Sequence, residues 1–148
     1  MFIGKYYLHA DDKGRLRIPL KFRYNMGTAG IYAMYTADGC LSIITAETAS
    51  NMIEKFEGMV TVAASESLNN ARILTSSMFE LTEDNQGRFT LAPEAKQFAG
   101  ISKDVVFIGV GKKIELWDVE RWEAHCRGEK YDYMYKQNFT SINPEMTF

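Results

Sequence analysis

Apolar and polar positions along this chain follow one pattern that occurs twice. From Phe2 to Ala10, aromatic and aliphatic residues (Phe2, Ile3, Tyr6, Tyr7, Leu8) crowd a segment that reads as a strand. Asp11-Asp12-Lys13-Gly14 breaks it: aspartate bonds its own backbone and glycine accepts positive φ, so a tight turn is predicted. Arg15 to Ile18 then alternates, placing Leu16 and Ile18 on one face of a short strand and Arg15 and Arg17 on the other. Pro19 suits a helix start, where its missing N–H costs nothing, and the helix is predicted to run to about Met26 and stop at Gly27. Ile31–Tyr35 and Leu41–Ile44 read as strands joined through Ala37-Asp38-Gly39, a hairpin signal.

The same order returns after a helical middle. Ser77–Thr82 reads as a strand, Asp84–Gly87 as a turn and Arg88–Leu91 as a strand, and Pro93 opens a helix that ends near Gly100. Val105–Val110 and Ile114–Trp117 then form a hairpin across Gly111-Lys112-Lys113. Asp11 and Asp84, Arg15 and Arg88, Gly27 and Gly100, and Leu41 and Ile114 all stand 73 residues apart, so one module is repeated in register. Between the copies, Ala49, Met52, Ile53 and Phe56 fall on one face of a helix ending at Gly58. A second helix is predicted from Glu66 to about Ser76, with Leu68, Ala71 and Leu74 or Thr75 inward. The expected organisation is a first module over 1–47, connecting helices over 48–76, a second module over 77–122, and a tail over 123–148 that begins as a short helix and is then loosely held.

Composition narrows the class. The chain has 148 residues, 46% hydrophobic and 24% charged, as expected of a soluble globular protein. No apolar run approaches the roughly 20 residues of a membrane helix, and the N-terminus lacks the apolar core of a signal peptide. A cytoplasmic protein with no membrane partner is the expectation. Cys40 and Cys126 form no C-x-x-C pair, so neither a disulfide framework nor a zinc site is predicted. His9 lies on one strand face with Asp11, but no third ligand stands at suitable spacing, and His9 and His125 are read as solvated polar residues. Phosphate-loop, nucleophile-elbow and dinucleotide motifs are absent; Gly109-Val110-Gly111 sits in a hairpin with no helix after it. No cofactor, no metal and no catalysis are expected.

Charge changes the picture more than composition does. The net charge is −2, yet residues 1–24 carry six cations against Asp11 and Asp12, a local +4 that leaves −6 on the other 124 residues. A basic face on an acidic body suits a surface that meets a polyanion. The first turn would lift Lys13 and aim Arg15 and Arg17 to one side, and arginine offers a planar fork for guanine O6 and N7 in the major groove. Lys13, Lys21 and Arg23 are placed to meet phosphates, which position without specifying. The plainer reading is that Asp11 and Arg15 pair within the module and fix the turn, worth about 0–1 kcal/mol if exposed. Asp11, Gly14 and Pro19 are assigned to the architecture of the loop. In the second copy, Gln86 replaces Lys13 and Thr90 replaces Arg17, with Glu80, Glu83 and Glu94 nearby. Asp84, Gly87 and Arg88 are therefore read mainly as turn architecture, with Gln86 and Arg88 as secondary DNA contacts.

FIGKYYLHADDKGRLRIPLKFR, the later DNQGRFTLAPEAKQFAGISKDVVFIGVGKKIELWD and the helices between them together resemble the bacterial MraZ family over roughly residues 1–122. The sequence departs from that pattern at Ala92, where the first copy has Pro19, at Lys96 in place of Arg23, and at Ala71 before Arg72. The resemblance implies an α+β fold, a double swapped-hairpin (SpoVT–AbrB-like) β-barrel with connecting helices. It further implies a nucleoid-associated transcriptional regulator of the division and cell-wall gene cluster. Such a regulator would bind direct repeats in double-stranded promoter DNA as a ring-shaped homo-oligomer, with Lys13, Arg15, Arg17, Lys21 and Arg23 at the DNA. The alternative from another class is an antitoxin-like protein that binds a partner through the same hairpin module.

Overall fold

The computed structural model describes residues 1–59 and 65–128. In chain order the elements are β1 (Lys5–His9), β2 (Arg15–Arg17), α1 (Leu20–Tyr24), β3 (Ile31–Tyr35), β4 (Leu41–Thr45), α2 (Ala46–Met59) and α3 (Ser65–Ser76). They continue as β5 (Met78–Leu81), β6 (Arg88–Thr90), α4 (Pro93–Ala99), β7 (Asp104–Gly109), β8 (Ile114–Asp118) and α5 (Val119–Arg127). The class is α+β, as expected. Met1–Asp118 forms one compact unit, and the segment from Val119 onward forms another. Within the latter, α5 stacks the Trp122 ring on His125 with centroids 6.0 Å apart. The tail expected beyond residue 128 lies outside the described residues.

All strand pairs are antiparallel. Six strands run in the order β1-β7-β8-β4-β3-β5, and β2 and β6 form a separate two-stranded ribbon. The sheet runs from edge to edge, so these hydrogen-bonded pairs close no barrel among the described residues. The two copies interleave: β1 of the first pairs with β7 of the second, and β5 of the second pairs with β3 of the first. The register is symmetric about two points, Leu16 opposite Phe89 in the ribbon and Ser42 opposite Glu115 between β4 and β8. Both pairs are 73-residue equivalents, so each copy meets its own counterpart there. The spacing slips once. Leu8 pairs with Val105 while Leu81 pairs with Ile31, so β3 and β7 are related by 74 residues, and the second hairpin's shorter connection restores 73 by β8.

One core serves both copies. Leu16, Ile18 and Phe22 pack with Ile31, Ala33, Leu41 and Ile43 of the first and with Phe89, Val105, Phe107, Ile114 and Leu116 of the second. The alternation in Arg15–Ile18 thus buries Leu16 and Ile18 and leaves the arginines outside. Phe22 anchors α1 through edge-on contacts with Phe2 (5.9 Å) and Tyr6 (5.1 Å). Phe98 anchors α4 by stacking on Tyr35 at 4.3 Å.

Some boundaries differ from expectation. α1 ends at Tyr24 rather than Met26, because its last turn tightens: Asn25 N–H donates to Phe22 O and Met26 N–H to Arg23 O. α4 ends as predicted, with Gly100 left-handed at φ 62° and Ile101 N–H donating to Lys96 O. In α3 the half-buried residues include Ala71 and Leu74, whereas Leu68, expected inward, is exposed. Gly109 has a role the sequence did not disclose. A Cβ there would lie 2.5 Å from Ile3 N and Phe2 C, because the N-terminal segment crosses against it. Phe2 and Gly111 exchange backbone hydrogen bonds of 2.7 and 2.9 Å at that crossing.

Candidate nucleic-acid interface

Both Asp-x-x-x-Arg segments fold into the same turn. In the first, Asp11 Oδ1 accepts the Lys13 N–H (3.0 Å) and the Arg15 N–H (2.8 Å), while Oδ2 accepts Arg15 Nε–H (2.6 Å). The backbone closes it, with Gly14 N–H donating to Asp11 O and Asp11 N–H to Arg15 O. In the second, Asp84 Oδ1 accepts the Gln86 N–H (2.8 Å) and the Arg88 N–H (3.0 Å), and Oδ2 accepts Arg88 Nε–H (2.8 Å). Gly14 (φ 74°) and Gly87 (φ 76°) supply the left-handed residue that each turn requires.

These bonds favour the ionised carboxylate. The Arg15 backbone N–H is the largest influence lowering the Asp11 pKa, and the Arg88 N–H likewise brings Asp84 down to about 2. The plain reading of Asp11 and Arg15 as an internal pair is therefore correct as far as it goes. It does not exhaust the arginine. The carboxylate takes each guanidinium by Nε, and among the described residues no bond occupies the terminal amino groups of Arg15 or Arg88. Aspartate orients the fork and leaves its outer end available.

The ribbon then brings the two turns together. Arg15 lies opposite Thr90 and Arg17 directly opposite Arg88. Since Leu16 and Phe89 point into the core, Arg15, Arg17, Arg88 and Thr90 share the outer face. Like charges facing each other across an antiparallel pair destabilise it, and Arg17 has no carboxylate partner among the described residues. A groove of about 350 Å³ beside the ribbon is lined by His9, Asp11, Arg15, Arg17 and Arg88 together with apolar residues that include Leu16 and Ile18. This juxtaposition of Arg17 and Arg88 was not visible in either motif alone; the equal spacing of the copies was the signal that could have found it.

The remaining candidates divide. Lys13 and Gln86 occupy the exposed tips of the two turns, and Lys21 is exposed on α1. Pro19 caps α1 in an extended conformation and turns the chain out of the ribbon. Arg23 is placed differently: its Nε–H donates to both oxygens of Glu83 (2.9 and 3.1 Å), and Nη1 donates to Gly27 O (2.7 Å). Among the described residues, no cluster of three or more His, Cys, Asp or Glu side chains could hold a metal ion. Nor is any described helix long and apolar enough to cross a membrane.

Comparison with known proteins places the chain in a family. The family model described as "MraZ protein, putative antitoxin-like" matches residues 75–135. The Transcriptional regulator MraZ of Moorella thermoacetica is 32% identical over 133 residues, covering 90% of this chain and 92% of the relative. That of Lachnoclostridium phytofermentans is 34% identical over 134 residues, covering 90% of each chain. That of Syntrophomonas wolfei is 32% identical over 133 residues, again 90% of this chain and 92% of the relative. With about a third of its residues shared along nine-tenths of its length, this chain belongs to the MraZ family.

Proposed function

We propose that this protein is a DNA-binding transcriptional regulator without catalytic activity, and that the β2–β6 ribbon with its two flanking turns is its DNA surface. The observation that carries this reading is the facing pair Arg17 and Arg88, with Arg15 beside them. Three guanidinium groups on one narrow face cost stability and serve a polyanion. The name carried by the relatives, transcriptional regulator, supports it. Arg15, Arg17 and Arg88 present forks to base edges, and Lys13, Lys21 and Gln86 meet backbone or sugar. Asp11, Asp84, Gly14, Gly87 and Pro19 hold the loops.

The finer features are part of the same proposal. The interleaved strands support reading 1–47 and 77–122 as swapped-hairpin modules of the SpoVT–AbrB type, linked by helices over 48–76. One ribbon offers about three to six cationic contacts, and binding of that size is weak at physiological salt. Repeated protomers on a ring would gain by effective concentration on repeated promoter boxes. The target would be the promoter of the division and cell-wall gene cluster, and the site of action the nucleoid. The test is a titration against DNA from upstream of the protein's own gene at several salt concentrations. Wild type should show steep salt dependence and preference for repeated boxes, and Arg15→Ala should lose the repeat-specific complex while keeping its elution volume on a sizing column. Wild-type affinity in Arg15→Ala would remove the first turn from the interface.

The "antitoxin-like" wording of the family description keeps one second reading, a partner protein bound through the same module. Stoichiometric co-purification of a small protein, with no shift of promoter DNA, would favour it.

A further inference from the structure

Arg23 looks in sequence like another phosphate contact, a cation at the end of α1 two residues beyond Lys21. Its surroundings say otherwise. All three guanidinium nitrogens are engaged: Nε and Nη2 on Glu83 and Nη1 on Gly27 O. Both partners are largely covered, with 27% of the Arg23 side chain and 16% of the Glu83 side chain exposed. Unlike Asp11–Arg15 and Asp84–Arg88, which are local to their turns, this pair spans 60 residues and joins the first copy to the second.

Glu83 is where the pair takes hold. It immediately precedes Asp84, and its Oε2 lies 3.7 Å from where a Cβ on Gly87 would stand, so the carboxylate lies against the second turn. Among the described residues no such ion pair reaches the first turn from the other copy. By the 73-residue spacing, Ala10 stands where the second copy has Glu83, and Lys96 stands where the first has Arg23. There Ala10 is buried in the core and its N–H donates to Lys103 O at 2.9 Å.

We propose that Arg23 is a positioning residue rather than a DNA ligand: acting through Glu83, it holds the Asp84–Arg88 turn so that Arg88 stays opposite Arg17 on the ribbon. This rests on the DNA-binding reading above for its functional consequence. A guanidinium can span both carboxylate oxygens, which a lysine ammonium cannot reproduce with the same planar geometry.

The test uses the full chain with Arg23→Ala, Arg23→Lys, Glu83→Gln and the double variant Arg23→Ala/Glu83→Gln. Binding to DNA from upstream of the protein's own gene is measured over a range of salt. Arg23→Ala and Glu83→Gln should each weaken binding by about fivefold. The double variant should be no weaker than either single one, and Arg23→Lys should recover part of the loss. The slope of log affinity against log salt should stay at the wild-type value, since no phosphate contact is removed. A slope reduced by about 0.9 in Arg23→Ala, with Glu83→Gln binding as wild type, would overturn the proposal and make Arg23 a phosphate contact. A DNA-free arm follows amide hydrogen exchange. The Gln86 and Arg88 amides, bonded to Asp84, should exchange faster in both single variants, while those of Lys13 and Arg15 keep their wild-type rates. Unchanged exchange at Gln86 and Arg88 would show that the strut holds nothing. If wild type binds no DNA, the functional reading fails, and the exchange arm still decides the strut.

Discussion

Replacing Arg17 with threonine should stabilise the protein and weaken it on DNA at the same time. Threonine is the residue the second copy carries at the equivalent position, Thr90, so the substitution makes the outer face of the ribbon symmetric. Arg17 faces Arg88 directly, and opposed residues in an antiparallel pair have Cβ atoms about 4.5–5.5 Å apart. Two unit charges about 7 Å apart in water repel by about 0.6 kcal/mol. That falls inside the roughly 0.2–1 kcal/mol measured for cross-strand pairs, and for a domain of this size it corresponds to a rise in Tm of about 2 °C. The gain should be largest in dilute buffer and vanish near 1 M salt, where the Debye length shrinks to about 3 Å. On promoter DNA the same variant should lose about 1–3 kcal/mol if Arg17 reads a base edge. Its salt slope should fall by about 0.9 for each phosphate contact removed. Thermal melts in low and high salt, paired with binding isotherms on one preparation, give both numbers. An Arg17→Thr protein that melts lower than wild type in dilute buffer would refute the repulsion. One that binds promoter DNA with unchanged affinity and slope would refute the placement of the ribbon at the DNA.

Two further outcomes follow from the geometry. Gly109→Ala drives a Cβ to 2.5 Å from the backbone at Phe2 and Ile3, so it should cost about 2–4 kcal/mol and about 10 °C in Tm. Gly111→Ala, with open space around its Cβ but a φ of 78°, should cost about 1–2 kcal/mol, and equal Tm values for the two would show that no crossing exists. The Asp84 carboxyl, with its folded pKa lowered from 3.8 to about 2, contributes stability that is present above pH 3.8 and lost as the pH falls through about 2. Carbon-detected NMR titration should show Asp84 still ionised at pH 3, and a midpoint near 3.8 would mean that the Arg88 and Gln86 bonds do not form in solution.

Much of this was readable before any coordinates. The two turns carried their own signals, because Asp and Gly at fixed positions dictate side-chain-to-backbone bonds and a left-handed residue regardless of what surrounds them. The strands followed from alternation, and the start of α4 from Pro93. Three things were less accessible, each for a physical reason. Strand order is set by contacts between distant segments, so the crossing of β1 to β7 and of β5 to β3 left no local mark. Gly109 looked like half of a failed nucleotide motif, whereas its requirement comes from a chain segment more than a hundred residues earlier. In sequence Arg23 reads as a phosphate contact and Glu83 as an acidic neighbour of the second turn, since an ion pair spanning 60 residues has no periodicity to betray it. Charge counting separates the two motifs, yet Arg88 is built to the same pattern as Arg15 and stands on the same face of the ribbon.

The self-pairing of the two copies at Leu16 with Phe89 and at Ser42 with Glu115 has a consequence for how this surface can vary. In a dimer of identical chains, every substitution at such an axis appears on both sides, and the surface keeps its two-fold symmetry. Here the halves are encoded separately, so a change is felt once. Arginine can face threonine across one rung, and a strut can support one loop and not the other. The surface acquires a head and a tail, and on the DNA-binding reading proposed above such a surface is suited to sites that all point the same way along the duplex.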